Sequence, residues 1–186
     1  MKINIFDIDE TLVVTNSKIR VFDKTTKKLV SELTPQEFNQ YIPKKNHKLD
    51  FSDFQNLDIL KNGRNIYWVQ KILEKTLMKG GHVGIITMRS NKKVVQDFLS
   101  HLRFSIPSNN IFAVSDPVSG IDVSLPREKR KKEAVRKFVE RGFTHLRMFD
   151  DDLKNLQAIK ELEQEYPEVK IETKYIKDQW IPKINQ

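Results

Sequence analysis

Residues 2–11 read Lys2-Ile3-Asn4-Ile5-Phe6-Asp7-Ile8-Asp9-Glu10-Thr11. Up to Phe6 this is a short apolar strand, and it stops on one acidic residue with a second two places further on. The same transition recurs twice. Val83-Gly84-Ile85-Ile86 is wholly apolar and ends at Thr87, with Arg89 just beyond; Leu146-Arg147-Met148-Phe149 ends at Asp150-Asp151. Residues 111–114 and 169–176 read as two more strands. Between the strands the apolar period changes from two to about 3.6. Ile66, Val69, Leu73 and Leu77 share one helix face before Gly80-Gly81, and Val94, Val95, Phe98, Leu99 and Leu102 share another. Ala134, Val135, Phe138 and Val139 form a third face closed by Gly142, and Leu153, Leu156, Ile159 and Leu162 a fourth that stops before Pro167. Parallel neighbours need crossover connections, so strands alternating with amphipathic helices predict a three-layer, Rossmann-like α/β fold with a mainly parallel sheet. A single domain spanning residues 1–186 is expected.

The segment from residue 15 to residue 63 breaks this alternation and reads as a small insertion after the first strand. Two β-like runs, residues 19–22 and 29–33, flank the polar turn at residues 23–28 and predict a hairpin. Thr34-Pro35-Gln36-Glu37 has the pattern of a capping box with proline in the first helical turn, which predicts a short helix through Tyr41. Residues 43–63 read as irregular and polar, anchored by Phe51 and Phe54. One hairpin and one short helix are too little for a large closed lid.

At 186 residues the chain suffices for one well-buried core. Its hydrophobic content of 38% and charged content of 31% fit a soluble globular protein. No apolar run approaches the roughly 18–20 residues that span a bilayer, and the N-terminal stretch lacks a signal-peptide pattern. Without cysteine there is no disulfide and no thiolate metal site, and a cytoplasmic location is the expectation. The formal net charge of +8 attracts polyanions, a statement about attraction and not about identity. The four histidines lack metal-ligand spacing, and there is neither a GxSxG nor a P-loop pattern to support a serine hydrolase or an NTPase.

In open α/β sheets, ligands bind outside the carboxyl ends of the strands. Asp7 with Asp9, Thr87 with Arg89, and Asp150 with Asp151 all fall at that edge. Several carboxylates in one crevice repel each other and call for a cation, and a small set of hard oxygen ligands suits Mg²⁺. A Ca²⁺ loop starting at Asp7 fails, because Leu12 stands where such a loop needs glycine and Lys18 where it needs glutamate. Asp151 and Asp152 also suit a helix start, where the dipole favours negative charge.

Asp7-Ile8-Asp9-Glu10-Thr11 resembles the DxDx[TV] motif I of haloacid dehalogenase-like (HAD) phosphatases. Thr87 after its strand resembles motif II of that class, and Asp150-Asp151 motif IV. The likeness covers the core from residue 2 to about residue 162 and leaves out the 15–63 insertion. It implies a Mg²⁺-dependent phosphomonoesterase with a HAD fold, in which the insertion stands where caps of the first type occur. By the same resemblance Asp7 is the nucleophile that forms an aspartyl-phosphate, and Asp9 the acid that protonates the leaving oxygen and then activates water. The metal set implied is Asp7, Asp9 through its backbone carbonyl, Asp150 and Asp151. Thr87 is implied as a phosphate contact and Thr11 as a further substrate contact. A lysine is expected on the helix before motif IV; among Lys129, Lys131 and Lys132, the last two stand closest to the apolar face and both remain candidates. Asn155 either orients a metal ligand or supports the helix start.

The run Ile86-Thr87-Met88-Arg89-Ser90 is similar to the phosphatase domain of polynucleotide kinase and related nucleic-acid-repair HAD proteins, although no kinase domain accompanies it. That likeness implies a phosphate on nucleic acid or a nucleotide. Arg89 either grips a second phosphate bidentately or caps the next helix. Lys18, Arg20, Lys24, Lys27, Lys28, Lys44, Lys45 and Lys48 all lie in the insertion, as a cationic rim for a phosphate backbone or as an ordinary solvated surface. The alternatives to a nucleic-acid phosphatase are a small-metabolite phosphatase and a non-catalytic nucleic-acid-binding module of the same fold.

Overall fold

Strand β1 (Lys2–Phe6) is covered on both faces and sits in the middle of its sheet. The computed structural model describes residues 1–177, so residues 178–186 of the expected domain lie outside the described part. In chain order β1 is followed by β2 (Val13–Val14), β3 (Ile19–Asp23), β4 (Leu29–Leu33), α1 (Pro35–Gln40), β5 (His47–Asp50), α2 (Leu57–Lys61) and β6 (Arg64–Asn65). Then come α3 (Tyr67–Met78), β7 (His82–Thr87), α4 (Lys92–His101), β8 (Ile111–Ala113), α5 (Arg127–Glu140), β9 (His145–Asp150), α6 (Leu153–Lys160), α7 (Leu162–Glu165) and β10 (Lys170–Tyr175). Five strands form one sheet in the order β10-β9-β1-β7-β8, and every neighbouring pair is parallel.

Each face of that sheet buries its own apolar cluster. Ile3, Ile5, Leu146 and Met148 pack with Phe138 of α5 and Ile159 of α6; Phe6, Val83, Ile85 and Phe149 pack with Leu73 of α3 and Phe98 of α4. Helices thus flank the sheet on both sides, as the strand–helix alternation predicts. Gly84 is a point of close approach: a β-carbon there would meet the Phe138 ring at 2.7 Å. The expected helix over residues 153–162 is in fact two, α6 and α7, with a break at Glu161. Among the described residues, no helix is long and apolar enough to cross a membrane.

The chain leaves the sheet after β1 and returns before α3 through a two-stranded neck, in which Val13 pairs with Asn65 and Val14 with Arg64. What the neck encloses is more than a hairpin and a helix. β3 pairs antiparallel with β4, as expected, and also with β5, giving a three-stranded sheet in the order β4-β3-β5. The capping box at Thr34 is formed, with the Glu37 amide donating to the Thr34 hydroxyl and the Glu37 carboxylate accepting from the Thr34 amide. Residues 43–63, expected to be irregular, hold β5, a 3₁₀ turn (Ser52–Gln55) and α2. These elements are too short to show a hydrophobic period, and tertiary ties hold them. Asp53 accepts from the Lys18 amide and pairs with Arg20 at 2.8 Å. Asn56 caps α2 by accepting from the amides of Asp58 and Ile59.

Candidate functional site

In sequence order the central sheet runs outward from β1 in two directions, first through β7 and β8, then through β9 and β10. The crevice between β1 and β9 is therefore the switch point, where helices diverge and ligands bind. The register fixes what stands there. Phe6 pairs with Phe149 and stacks on it at 4.6 Å, and the Asp7 amide donates to the Phe149 carbonyl at 3.0 Å. Asp7 and Asp150 follow directly at the strand ends.

The turn after β1 is tight. The amides of Thr11, Leu12 and Val13 all donate to the Ile8 carbonyl, and Glu10 adopts a left-handed backbone with φ of 57°. For a residue with a β-carbon that conformation is strained by about 1–2 kcal/mol, and strain of this kind gathers at functional sites. The Ile8 amide donates to Asp7 Oδ1 at 2.7 Å.

Lys131 of α5 reaches into the crevice fully buried, and its ammonium lies 2.7 Å from both Asp7 Oδ2 and Asp150 Oδ2. Burial pulls its proton affinity down, but the charges of Asp150 and Asp7 more than reverse that, so the amine is held cationic. Asp150 is fully enclosed; its other oxygen accepts from the Asn155 side chain at 3.0 Å and the Asp152 amide at 2.9 Å. Asn155 thus orients Asp150, one of the two roles expected of it. Asp7 is raised to about 7, chiefly by burial, with Lys131 opposing and Asp150 and Asp9 reinforcing the shift. Asp151 is raised to about 8, again first by burial and then by the charges of Asp7 and Asp150.

Among the described residues, Asp7, Asp150 and Asp151 each place a carboxylate oxygen within 4.8 Å of the others. Three carboxyls stand around one ammonium, and the donors are all hard oxygens. That set can hold a metal ion. The Asp9 carboxylate stands apart from this group, which leaves its backbone carbonyl as the contribution expected from the sequence.

Other expected residues come out differently. Lys132, one residue from Lys131, is rotated by roughly 100° on the helix and pairs with Glu161 and Glu165, both at 2.9 Å. It belongs to the α5–α7 surface and not to the site. Arg89 does not cap α4, whose N-cap is Asn91; it lines the cleft, but its donors are engaged within the protein. Its side chain is fully buried, with Nε and Nη2 donating to the two Asp9 oxygens at 2.9 and 2.7 Å. Its remaining nitrogen donates to the Phe54 carbonyl of the insertion, and the guanidinium lies 5.3 Å from the Phe54 ring centre. Thr87 ends β7 as expected but is enclosed, its hydroxyl accepting from the Arg89 amide at 3.4 Å. Thr11, expected as a substrate contact, is also fully enclosed and is not among the residues that line the cleft described below; among the described residues its hydroxyl has no hydrogen-bond partner.

A cleft of about 380 Å³ opens over these groups. Asp7, Asp9, Arg89, Lys131 and Asp151 line it from the sheet side, and Phe38, Phe51 and Phe54 from the insertion. Arg127 and Arg130 of α5 complete the wall. Sequence reasoning missed these two arginines, although Arg127 stands four residues before Lys131 and so on the same helix face. Phe38 was hidden inside a short helix that gave no reason to face the site. In comparisons with known proteins, no family model and no curated protein matches the chain.

Proposed function

We propose that the chain is a Mg²⁺-dependent phosphomonoesterase of the HAD-like class that works through an aspartyl-phosphate on Asp7. The observation that carries this reading is the buried Lys131 ammonium bridging Asp7 and Asp150 at the switch point, with Asp151 beside them. Each charge there is desolvated at a cost that folding alone does not require, and the motif order along the sequence agrees with the resemblance.

On this reading the Asp7 carboxylate attacks phosphorus, and the bond to the leaving oxygen breaks as the acyl-phosphate bond forms. Asp9 gives its proton to that oxygen. Water then attacks the phosphoryl group, Asp9 takes the proton, and Asp7 is released with inorganic phosphate. Arg89 donates to both Asp9 oxygens, so one of those bonds must open for that oxygen to take up a proton from solvent before the transfer, while the other keeps the carboxyl aimed. Lys131 offsets charge on Asp7 and on the phosphoryl oxygens. Mg²⁺, held by Asp7, Asp150, Asp151 and the Asp9 carbonyl, would supply neutralisation of the transferring group.

The test is release of inorganic phosphate from a panel of phosphomonoesters, with and without Mg²⁺. Release is expected only with the metal, and it should be lost in Asp7→Asn while circular dichroism stays unchanged. Undiminished release in that variant would remove Asp7 from the chemistry.

A second reading, that the phosphate ends a nucleic-acid strand, has its own support. A shallow groove lined by Lys24, Lys27 and Lys48 shares Phe51 and Ser90 with the cleft. Oligonucleotide turnover should then fall steeply with salt as counterion release weakens binding, and Lys24→Ala, Lys27→Ala and Lys48→Ala together should flatten the curve. Parallel salt curves for oligonucleotides and mononucleotides would discard the strand reading and leave the phosphatase reading standing.

A further inference from the structure

The insertion presents a row of aromatic rings. Tyr41 lies against Phe38 with ring centres 6.4 Å apart, Phe38 meets Phe51 edge-on at 5.3 Å, and Phe51 lies 6.3 Å from Phe54. Three of these rings line the cleft, joined by Ile19 of β3 and by Met88. Phe51 keeps 39% of its surface exposed. Rings that merely sealed the insertion to the sheet would be packed to interior density and leave little void between the layers. Here they bound a space of about 380 Å³ whose other wall is charged, which is the form of a ligand site: largely apolar, with a few convergent polar groups.

We propose, resting on the phosphatase reading above, that the substrate is a phosphomonoester whose alcohol carries a flat ring system, bound against Phe38, Phe51 and Phe54 while its phosphate meets Asp7. Size and chemistry both select this class. The volume suits one ring system with a phosphate and is small for a lipid chain. The hydroxyls of a bare sugar phosphate would lose hydrogen bonds to water against the three phenyl rings without replacement, whereas a planar ring gains aromatic contact with them, above all with Phe51, the most exposed of the three. Arg127 sits 5.4 Å above the Phe38 ring and lines the same wall as Arg130, which places positive charge beside the apolar surface and suits an anion attached to a ring.

The experiment is calorimetric titration of the Asp7→Asn full chain with Mg²⁺ present, using matched ligand pairs that differ by a ring. Adenosine monophosphate is set against ribose 5-phosphate, phosphotyrosine against phosphoserine, and phenyl phosphate against ethyl phosphate. The ring-bearing member is expected to bind about ten-fold or more tightly, the ratio that stacking on one aromatic side chain supports. Which pair gives the largest ratio identifies the kind of ring. Phe51→Leu, which keeps apolar volume without a ring face, should narrow the ratio within each pair; Phe51→Met, which also keeps it and adapts to an irregular space, is the second variant if that one folds poorly. Equal affinities within all three pairs overturn the proposal. So does a ratio that survives both Phe51 variants. Phosphate release from the native chain is followed separately, so ring selectivity without turnover sinks the reaction and keeps the ring site, and turnover without selectivity does the reverse.

Discussion

Arg89 carries the clearest difference between what its sequence position suggests and what its surroundings do with it. An arginine two residues after a strand-end threonine reads as a phosphate grip. In the fold its guanidinium spends two nitrogens on Asp9 and one on the Phe54 carbonyl, so it positions a carboxylate and ties that carboxylate to the insertion. The two roles separate in kinetics. A phosphate grip lost in Arg89→Ala would raise KM, because uniform binding is removed. A positioning role lowers kcat instead, by roughly a hundred-fold if Asp9 drifts by about an ångström, with KM little changed. Steady-state kinetics on one substrate decides, and a loss confined to KM would return Arg89 to the phosphate.

At the scale of elements, the packing of α5 on β7 sets where Lys131 can reach. Gly84 lets the Phe138 ring approach β7, and the ring is itself fully buried and has no room to swing. Gly84→Ala should therefore push α5 outward. Overpacking of this kind destabilises by about 1–3 kcal/mol, or roughly 2–4 °C in Tm for each kcal/mol at this chain length. Because Lys131 rides on the same helix, metal-dependent activity should fall along with Tm. Thermal melts that match the native chain would show that the helix absorbs the methyl without moving. The insertion shows the opposite case of element against context: β5 has a weak local signal and is held by pairing with β3, and Asp53 ties the turn that follows to Lys18 and Arg20.

For the whole molecule, the buried carboxyls link stability to pH and to the metal. Asp7 and Asp151 stand near 7 and 8 against an ordinary value of 3.8. The folded chain therefore binds these protons more tightly than the unfolded chain between pH 4 and pH 8. Stability of the metal-free protein is expected to fall as pH rises through that window. The depressed carboxyls of Glu165 and Glu172 act in the other sense, and only below about pH 4.5, where they lose their stabilising charge. Mg²⁺ competes with the protons, so it should stabilise most at pH 8 and least at pH 5. At a hundred-fold excess over Kd the gain is about 2.7 kcal/mol, or roughly 5–10 °C in Tm. Melting curves in EDTA and in Mg²⁺ across this range check the sign. A metal-free protein that grows more stable from pH 5 to pH 8 would mean that burial and the neighbouring carboxyls do not hold Asp7 and Asp151 above the ordinary carboxyl range.

The sequence by itself determined the parallel sheet, its covering helices and the strand ends that carry Asp7, Thr87 and Asp150. Apolar period and strand-terminal polarity are local properties, and burial on both faces enforces them whatever the details of packing. The resemblance of its motifs to a known class added the expectation of a lysine on α5. Only the tertiary structure decided between Lys131 and Lys132, because one step along a helix turns a side chain from the crevice to the surface, and both residues precede the same apolar face. Only the tertiary structure joined Arg89 to Asp9 and to Phe54, contacts that span 80 and 35 residues of chain and leave no periodic trace. The aromatic row of the insertion belongs with these. Phe38, Phe51 and Phe54 sit on short elements without a hydrophobic period, and the neck at β2 and β6, together with Arg89, brings their shared surface over the carboxylates.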